Sequence, residues 1–354
     1  MITDRTETGT ADAHPADPPS SSTKVSGRRA PGLGLSTLLE RFGLLGLWIL
    51  LIVVFALALP TTFLTGGNLR AVTMSQSVLA VMAVALIFPL VGGRFDISVG
   101  ANAGLCSIVT ATAMSRFGLS LPVAILLGVI VGMLVGAFNG VLVAYFGINS
   151  IIATIGVSTV ITGIIQAYTQ GIPISSGLSP VITTLSSRLI LGVPALFVIM
   201  IVLAAVAWFI LTQSAYGRFL AAVGSNENAA VLTGLPVRRI ITGSFIMSGA
   251  FAGLAGVMQV AAQGNGNPQV GGITFMLPAL AAVFLGATTF RPGTYNVPGT
   301  VLGLFFIGTA VSGLSLLGAQ TWVTDVFNGT AVIVAVGLSA HFRRRRTGTS
   351  MLGE

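Results

Sequence analysis

Apolar residues in this chain fall into ten blocks that span, or nearly span, a bilayer. Their approximate limits are 43–60, 71–91, 97–115, 119–147, 151–169, 189–212, 240–263, 273–290, 297–318 and 323–341. Each block predicts a membrane helix, and ten crossings return the chain to the side on which it started. The block after Gly100 is weakened by Gly, Asn and Ser, which predicts a partly re-entrant course. Ahead of the blocks, residues 1–36 are rich in Thr, Ser, Pro, Asp and Ala without a periodic apolar face, which predicts a disordered tail. The first block begins near Gly43, too far in for a cleavable leader, so it is expected in the mature protein.

Between the sixth and seventh blocks lies a polar interruption, Tyr216–Arg239, reading YGRFLAAVGSNENAAVLTGLPVRR. Ser225 or Asn226 can cap a helix start, Glu227 sits where the positive end of the helix dipole favours a carboxylate, and Gly234 followed by Pro236 stops the helix. A helix of about two turns, roughly 12 Å long, is predicted. It is too short and too polar to cross a bilayer. A small exposed helix held between two spans is a handle for a soluble partner; an ordinary interfacial loop helix is the plainer alternative. The chain then divides into a tail (1–36), a membrane domain (37–342) carrying the polar segment 216–239, and a basic tail (343–354).

Composition agrees with the pattern. With 54% hydrophobic and 7% charged residues, the chain is far from a soluble domain, in which about a quarter of residues are charged. The fold expected is an all-α polytopic membrane protein of about ten transmembrane helices in the inner (cytoplasmic) membrane. The net charge of +8 does not point to nucleic acid, because the arginines sit at loop edges and in one tail, without a stripe of interleaved aromatics. With the amino terminus inside, thirteen of the seventeen basic residues fall on cytoplasmic segments, and only Arg70, Arg116 and Arg188 fall on outer loops. This asymmetry predicts that both termini are cytoplasmic. The single cysteine, Cys106, lies in an apolar run and is expected to be an inert buried thiol, with no metal site.

Glycine spacing predicts how the helices pack. Gly128, Gly132, Gly136 and Gly140 recur every four residues and share one face, where a neighbouring helix can approach at backbone distance. Gly249 with Gly253, and Gly299 with Gly303, repeat the device, so the 45 glycines predict a tightly packed bundle. A second polar stretch, GGRFDISVG (Gly92–Gly100), contains Asp96, an acid close to the membrane. Such a group is costly unless paired or capping. Asp96 is expected to cap the helix beginning at Ile97 or Ser98, or to pair with Arg94, while Gly92, Gly93 and Gly100 permit a tight re-entry; a proton or substrate ligand is the functional alternative.

These residues carry a resemblance. GGRFDISVG is similar to the GGIDLSVG signature of the permease subunits of sugar ABC importers, the ribose, xylose and galactose branch. The polar segment resembles that family's cytoplasmic pattern GRxxxAxGxNxxAAxxxGxxV at Arg218, Ala222, Gly224, Asn226, Ala229, Ala230, Gly234 and Val237. Asn149–Ile164 and Leu285–Gly303 resemble two further segments, in the same order. The chain departs from the pattern at the extra Arg94 beside Phe95. Asn149 and Ser150 replace a proline and a phenylalanine, and Phe290, Arg291 and Pro292 stand where small residues are usual.

The resemblance implies a non-enzymatic permease that passes a pentose, hexose or related polyol. The solute would be delivered by an extracytoplasmic solute-binding protein, and a second permease chain, identical or paralogous, would share the path. ATP and Mg would be bound by a separate nucleotide-binding ATPase subunit, since this chain has no P-loop and its only lysine is Lys24. Arg218, Gly224, Asn226, Glu227, Asn228, Ala229, Ala230 and Gly234 would then couple to the ATPase. Weakly polar groups suit a path for a neutral polyol. Ser98, Asn102, Asn139, Gln166, Gln259, Gln263, Asn265 and Asn267 are the candidates, each also able to serve as an interhelical hydrogen bond. A nucleoside or other small neutral solute is the nearest alternative. An ion-coupled carrier would require deep ionisable relays, which are nearly absent, and a membrane enzyme would require paired groups, whereas Asp96 and Asp325 are expected on opposite sides.

Overall fold

The computed structural model describes residues 35–347, and helices dominate it. Each expected block holds one helix: α1 (Leu35–Ala58), α2 (Gly66–Val91), α3 (Val99–Ser115), α4 (Leu121–Ala144), α5 (Ser150–Thr169), α7 (Ala195–Thr212), α10 (Val237–Gln263), α11 (Gly272–Gly286), α12 (Val297–Leu316) and α13 (Thr321–Thr347). Among the described residues, seven helices are long and apolar enough to cross a membrane: α2, α4, α5, α7, α10, α12 and the Thr321–Ser339 part of α13. Phe42–Ala58, α3 and Phe275–Gly286 are shorter apolar helices. The chain is an all-α, multi-pass membrane protein. Of the expected tails, 1–36 and 343–354, residues 1–34 and 348–354 lie outside the described residues, while α1 already begins at Leu35 and α13 carries the helix on through the basic run to Thr347.

The remaining helices are α6 (Pro180–Thr184), α8 (Ala215–Ser225) and α9 (Glu227–Leu232). The sixth block is shorter than its apolarity suggests. Its first residues pair as a hairpin of β1 (Leu189–Ile190) and β2 (Val193–Pro194), turned at Leu191 and Gly192, both at positive φ. The sequence signal counted β-branched residues as helix because periodicity cannot separate the two in a short apolar run.

Among the seven long spans α2 and α10 are the most buried, and α4 and α13 turn apolar faces such as Leu126, Leu134 and Ile333 outward, as lipid contact requires. The glycine seam is where α4 meets α10. A Cβ at Gly132 would strike the Gly249 carbonyl, one at Gly136 the Phe245 carbonyl, and one at Gly140 would lie 2.8 Å from Thr242 Cα. Gly249 and Gly253 approach α4 in the same way, so two repeats that are separate in sequence form one interlocked contact. Gly299 and Gly303 pack on Gly286 and Ala282 of α11.

The connections gather at two ends. One end, called here the α9 face, holds residues 92–98, 145–149, 213–236 and 287–296, tied together by Arg94–Glu227, by Arg238 over the Tyr145 ring, and by Gly224 against Val91. The opposite end, the far face, joins 170–178 to 264–271 through paired hydrogen bonds between Ile174 and Gly266, both 2.9 Å.

Candidate coupling and translocation site

The polar segment folds as two helices joined at Asn226, where a single two-turn helix was expected. Ser214 caps α8, its Oγ accepting from Gly217 N at 3.1 Å. Gly217, Leu220 and Val223 recur along one face and are buried, which seats α8 on the bundle. Tyr216 fastens it further by donating its hydroxyl to the Ile240 carbonyl at 3.0 Å, and burial pushes the phenol's pKa above its ordinary range. Gly224 lies against the Val91 carbonyl and leaves no room for a Cβ. Its neighbour Gly93, at φ +75, completes a contact of backbone on backbone.

Asn226 is extended (φ −157, ψ 102) and caps α9, its Oδ1 accepting from Ala229 N at 2.9 Å. Glu227 in the first turn receives Arg94 at 2.7 Å. The expected alternative pairing of Arg94 with Asp96 does not form, because residues 92–98 turn the two side chains to different levels of the fold. At the other end Gly234 adopts φ +80, and Leu235 N returns to the Ala230 carbonyl at 3.1 Å. Of α9 itself only Ala230 is buried; Asn228, Ala229, Val231 and Leu232 are exposed, Leu232 to 88%. Sequence reasoning missed Val231 and Leu232. Two large apolar residues in a polar connection, one step beyond the buried Ala230, are the signal that pointed to them.

Directly beneath lies a buried polar cluster. Asp96 Oδ1 accepts from Ser98 N at 3.1 Å and from Ser98 Oγ at 2.6 Å, and Asp96 Oδ2 accepts from Ser248 Oγ of α10 at 2.8 Å. Asn139 of α4 donates to Ser98 Oγ at 2.7 Å, and Asn102 donates to the Gly132 carbonyl at 3.1 Å. Phe95 N and Ile97 N are held by Ser150 Oγ at 3.1 Å and Thr154 Oγ1 at 3.0 Å, both on α5. Ser150 is one of the positions at which the chain departs from the resembled pattern. Ser248 is eleven residues past the start of α10, roughly 16 Å along it. The irregular backbone that re-enters the bundle is therefore the α2–α3 connection, while α3 itself is continuous helix from Val99. Asp96 is not the cap of α3, which begins at Val99 with Ser98 in the N-cap position; it holds that residue from two positions upstream and bridges it to α10.

The eight proposed path residues do not form one group. Ser98, Asn102 and Asn139 are enclosed near the α9 face, and Gln259 is buried in α10. Gln166, Gln263, Asn265 and Asn267 lie toward the far face, half-buried or exposed. Asn267 Oδ1 accepts from Gln269 N at 2.9 Å and Asn265 donates to the Gln263 carbonyl at 3.2 Å, so both shape their own loop. Helix α5 turns a different surface outward. Gly156 and Gly163 meet nothing within 4 Å, and Ile152, Ile155, Thr159 and Ile164 beside them are exposed. Among the described residues no group of three or more His, Cys, Asp or Glu comes together.

Comparison with known proteins gives a consistent answer. A family model described as "Branched-chain amino acid transport system / permease component" matches residues 68–336. The ribose import permease protein of Haemophilus influenzae is 31% identical over 293 residues, 81% of this chain and 89% of that protein. The D-allose transport system permease protein of Escherichia coli is 31% identical over 299 residues, 84% and 91% of the two chains. The L-arabinose ABC transporter permease protein of Azospirillum brasilense is 29% identical over 328 residues, 93% and 95%. No solved structure matches the chain.

Proposed function

The chain belongs to the permease-component family of ABC importers, and from that premise we propose that it forms, with a second permease chain, the membrane path for a sugar. The carrying observation is the α9 construction. A capped six-residue helix exposes Val231 and Leu232 while Arg94, Gly93 and Gly224 clamp its base to the connection that holds Asp96. A displacement at α9 reaches the α3–α10 bridge by two routes, the Arg94–Glu227 pair and the backbone contact of Gly224, at the end of α8, with Val91 and Gly93. That is the arrangement needed for a separate ATPase, binding ATP and Mg, to drive the α9 face as the cytoplasmic one. The open face of α5, with Gly156 and Gly163 bare and the amide Gln166 above, suits the wall that a second permease chain completes. A solute-binding protein would deliver to the far face, where Gln263, Asn265 and Asn267 present polar groups. The ribose, allose and arabinose relatives support a pentose or hexose as the solute.

Uptake by membrane vesicles containing the chain, its ATPase and its binding protein tests the proposal. Leu232→Asp should abolish copurification of the ATPase and ATP-driven sugar uptake, with the chain still present in the membrane. Uptake at the wild-type rate in this variant would remove α9 from the mechanism. A second reading, a small solute other than a sugar, rests on the autoinducer 2 import system permease protein of Salmonella paratyphi B, 32% identical over 280 residues, 79% of this chain and 80% of that protein. Screening the partner binding protein for its ligand separates the two.

A further inference from the structure

On the α9 face, a cavity of about 970 Å³ opens between the α7–α8 corner and the α11–α12 connection. Arg218 and Arg291 are the charged residues of its lining, so it presents two cations and no acid. Arg218 donates to the Gln213 carbonyl at 3.2 Å, and Arg291 is exposed. The floor is apolar, with Leu90, Val91 and Leu211, and Trp208 stands in the wall. A second, apolar cavity of about 560 Å³ adjoins this one and shares Phe290 and Pro298 with it. It climbs between α1, α2, α7 and α12 past Val301, Leu302 and Phe305 to Ser312, roughly 21 Å along α12 from Pro298.

Phe290 stands where the two spaces meet. Its backbone is at φ +56, a conformation that a bulky side chain rarely adopts, and its ring meets Phe42 of α1 edge-on with centroids 6.1 Å apart. Phe290 and Arg291 are also two of the positions where this chain carries large groups in place of small ones. The departures thus build the junction between a basic chamber and an apolar crevice.

We propose that this composite cavity holds an anionic phospholipid of the leaflet on the α9 face, with its phosphodiester at Arg291 and Arg218 and an acyl chain in the crevice beside α12. Guanidinium groups match phosphate geometry, and basic chambers between spans attract anionic head groups. Trp208 lies four residues from the α9-face end of α7, and indoles are favoured near the ends of spans. A soluble phosphate would use the arginines but leave the crevice empty. A protein segment from a soluble partner would face an apolar slot running up among the spans. Charge and apolarity side by side fit one amphiphile that supplies both. Helix α5, proposed to meet a second permease chain, contributes no residue to either cavity.

The test is native mass spectrometry of the full chain with its ATPase, delipidated and then supplied with phosphatidylglycerol, phosphatidylcholine or glycerol 3-phosphate. Wild type should retain phosphatidylglycerol over phosphatidylcholine, and Arg291→Gln should lower that preference about fivefold, the effect of one arginine near a head group. Val301→Trp, which fills the crevice, should lower retention of both phospholipids. Arg188→Gln, in the far-face hairpin, should change neither. An unchanged preference in Arg291→Gln overturns the proposal. So does glycerol 3-phosphate binding as tightly as the lipid, which would mark a soluble-anion site. Loss of the ATPase from Arg291→Gln at undiminished lipid retention would assign the face to the ATPase instead.

Discussion

Asp96 and Glu227 are both carboxylates at the α9 face, and the fold treats them in opposite ways. Asp96 is 3% exposed and gives both oxygens to hydroxyl and amide donors from α10 and the head of α3. Glu227 is on the surface and meets Arg94 with 45% of its side chain in solvent. A buried acid must have its lone pairs satisfied, so its partners are part of the packing. An exposed ion pair is screened, so Glu227 adds alignment more than stability. The difference teaches that the α2–α3 connection is frame and α9 is contact surface, although both are short polar interruptions between apolar helices.

The strongest way to break this comparison is to wedge the frame. Gly136→Leu would drive a side chain into the Phe245 carbonyl, and the expected result is loss of folded protein from detergent extracts, read by size-exclusion chromatography. A monodisperse variant with wild-type thermal unfolding would show that the α4–α10 seam is looser than described. Next comes Asp96→Ala, which strands the Ser98 and Ser248 donors and should cost about 3 kcal/mol, seen as a lowered unfolding temperature. Asp96→Asn should cost about 1 kcal/mol or less, because the amide oxygen still accepts from Ser98 and the amide nitrogen can donate to the Ser248 hydroxyl. If the asparagine variant loses all transport while assembling normally, the charge has a role that hydrogen bonding does not supply. The smallest effect is expected for Glu227→Gln, within roughly 0.5 kcal/mol, with wild-type thermal stability at low and high salt. A large loss there would place Glu227 with the frame.

Gly234→Val sharpens the contact-surface side. Valine at φ +80 is strained, so the turn after α9 should rearrange, with ATP hydrolysis uncoupled from uptake and the membrane domain intact. Coupled uptake at the normal stoichiometry would separate the turn from the coupling role.

Much of the fold is legible because it depends on local spacing. The ten apolar blocks, the four glycines on one face of α4 and the Asn226 cap each follow from residues within a few positions of one another. The candidate site was legible in outline only. Asn226 and Gly234 announced α9, but α8 continued as helix because Gly217, Leu220 and Val223 found a surface to bury against. Val231 and Leu232 became visible only once Ala230 was seen to take the inward position. Among the proposed path residues, amides that read alike in sequence divided into enclosed braces and loop formers, since their roles depend on which helix lies opposite.

What the sequence by itself determined is therefore the class of molecule, the helix in each apolar block and the Asn226 cap. Hydropathy, helical period and backbone preference act over one turn to one span. Partner choice was decided by the tertiary structure. Asp96 bonds Ser248 across 152 positions and Arg94 bonds Glu227 across 133. The joined basic and apolar cavities draw on residues from Trp48 to Ser312. Such contacts depend on how helices of similar composition stack, and the glycine seam between α4 and α10 sets that stacking by letting their backbones touch.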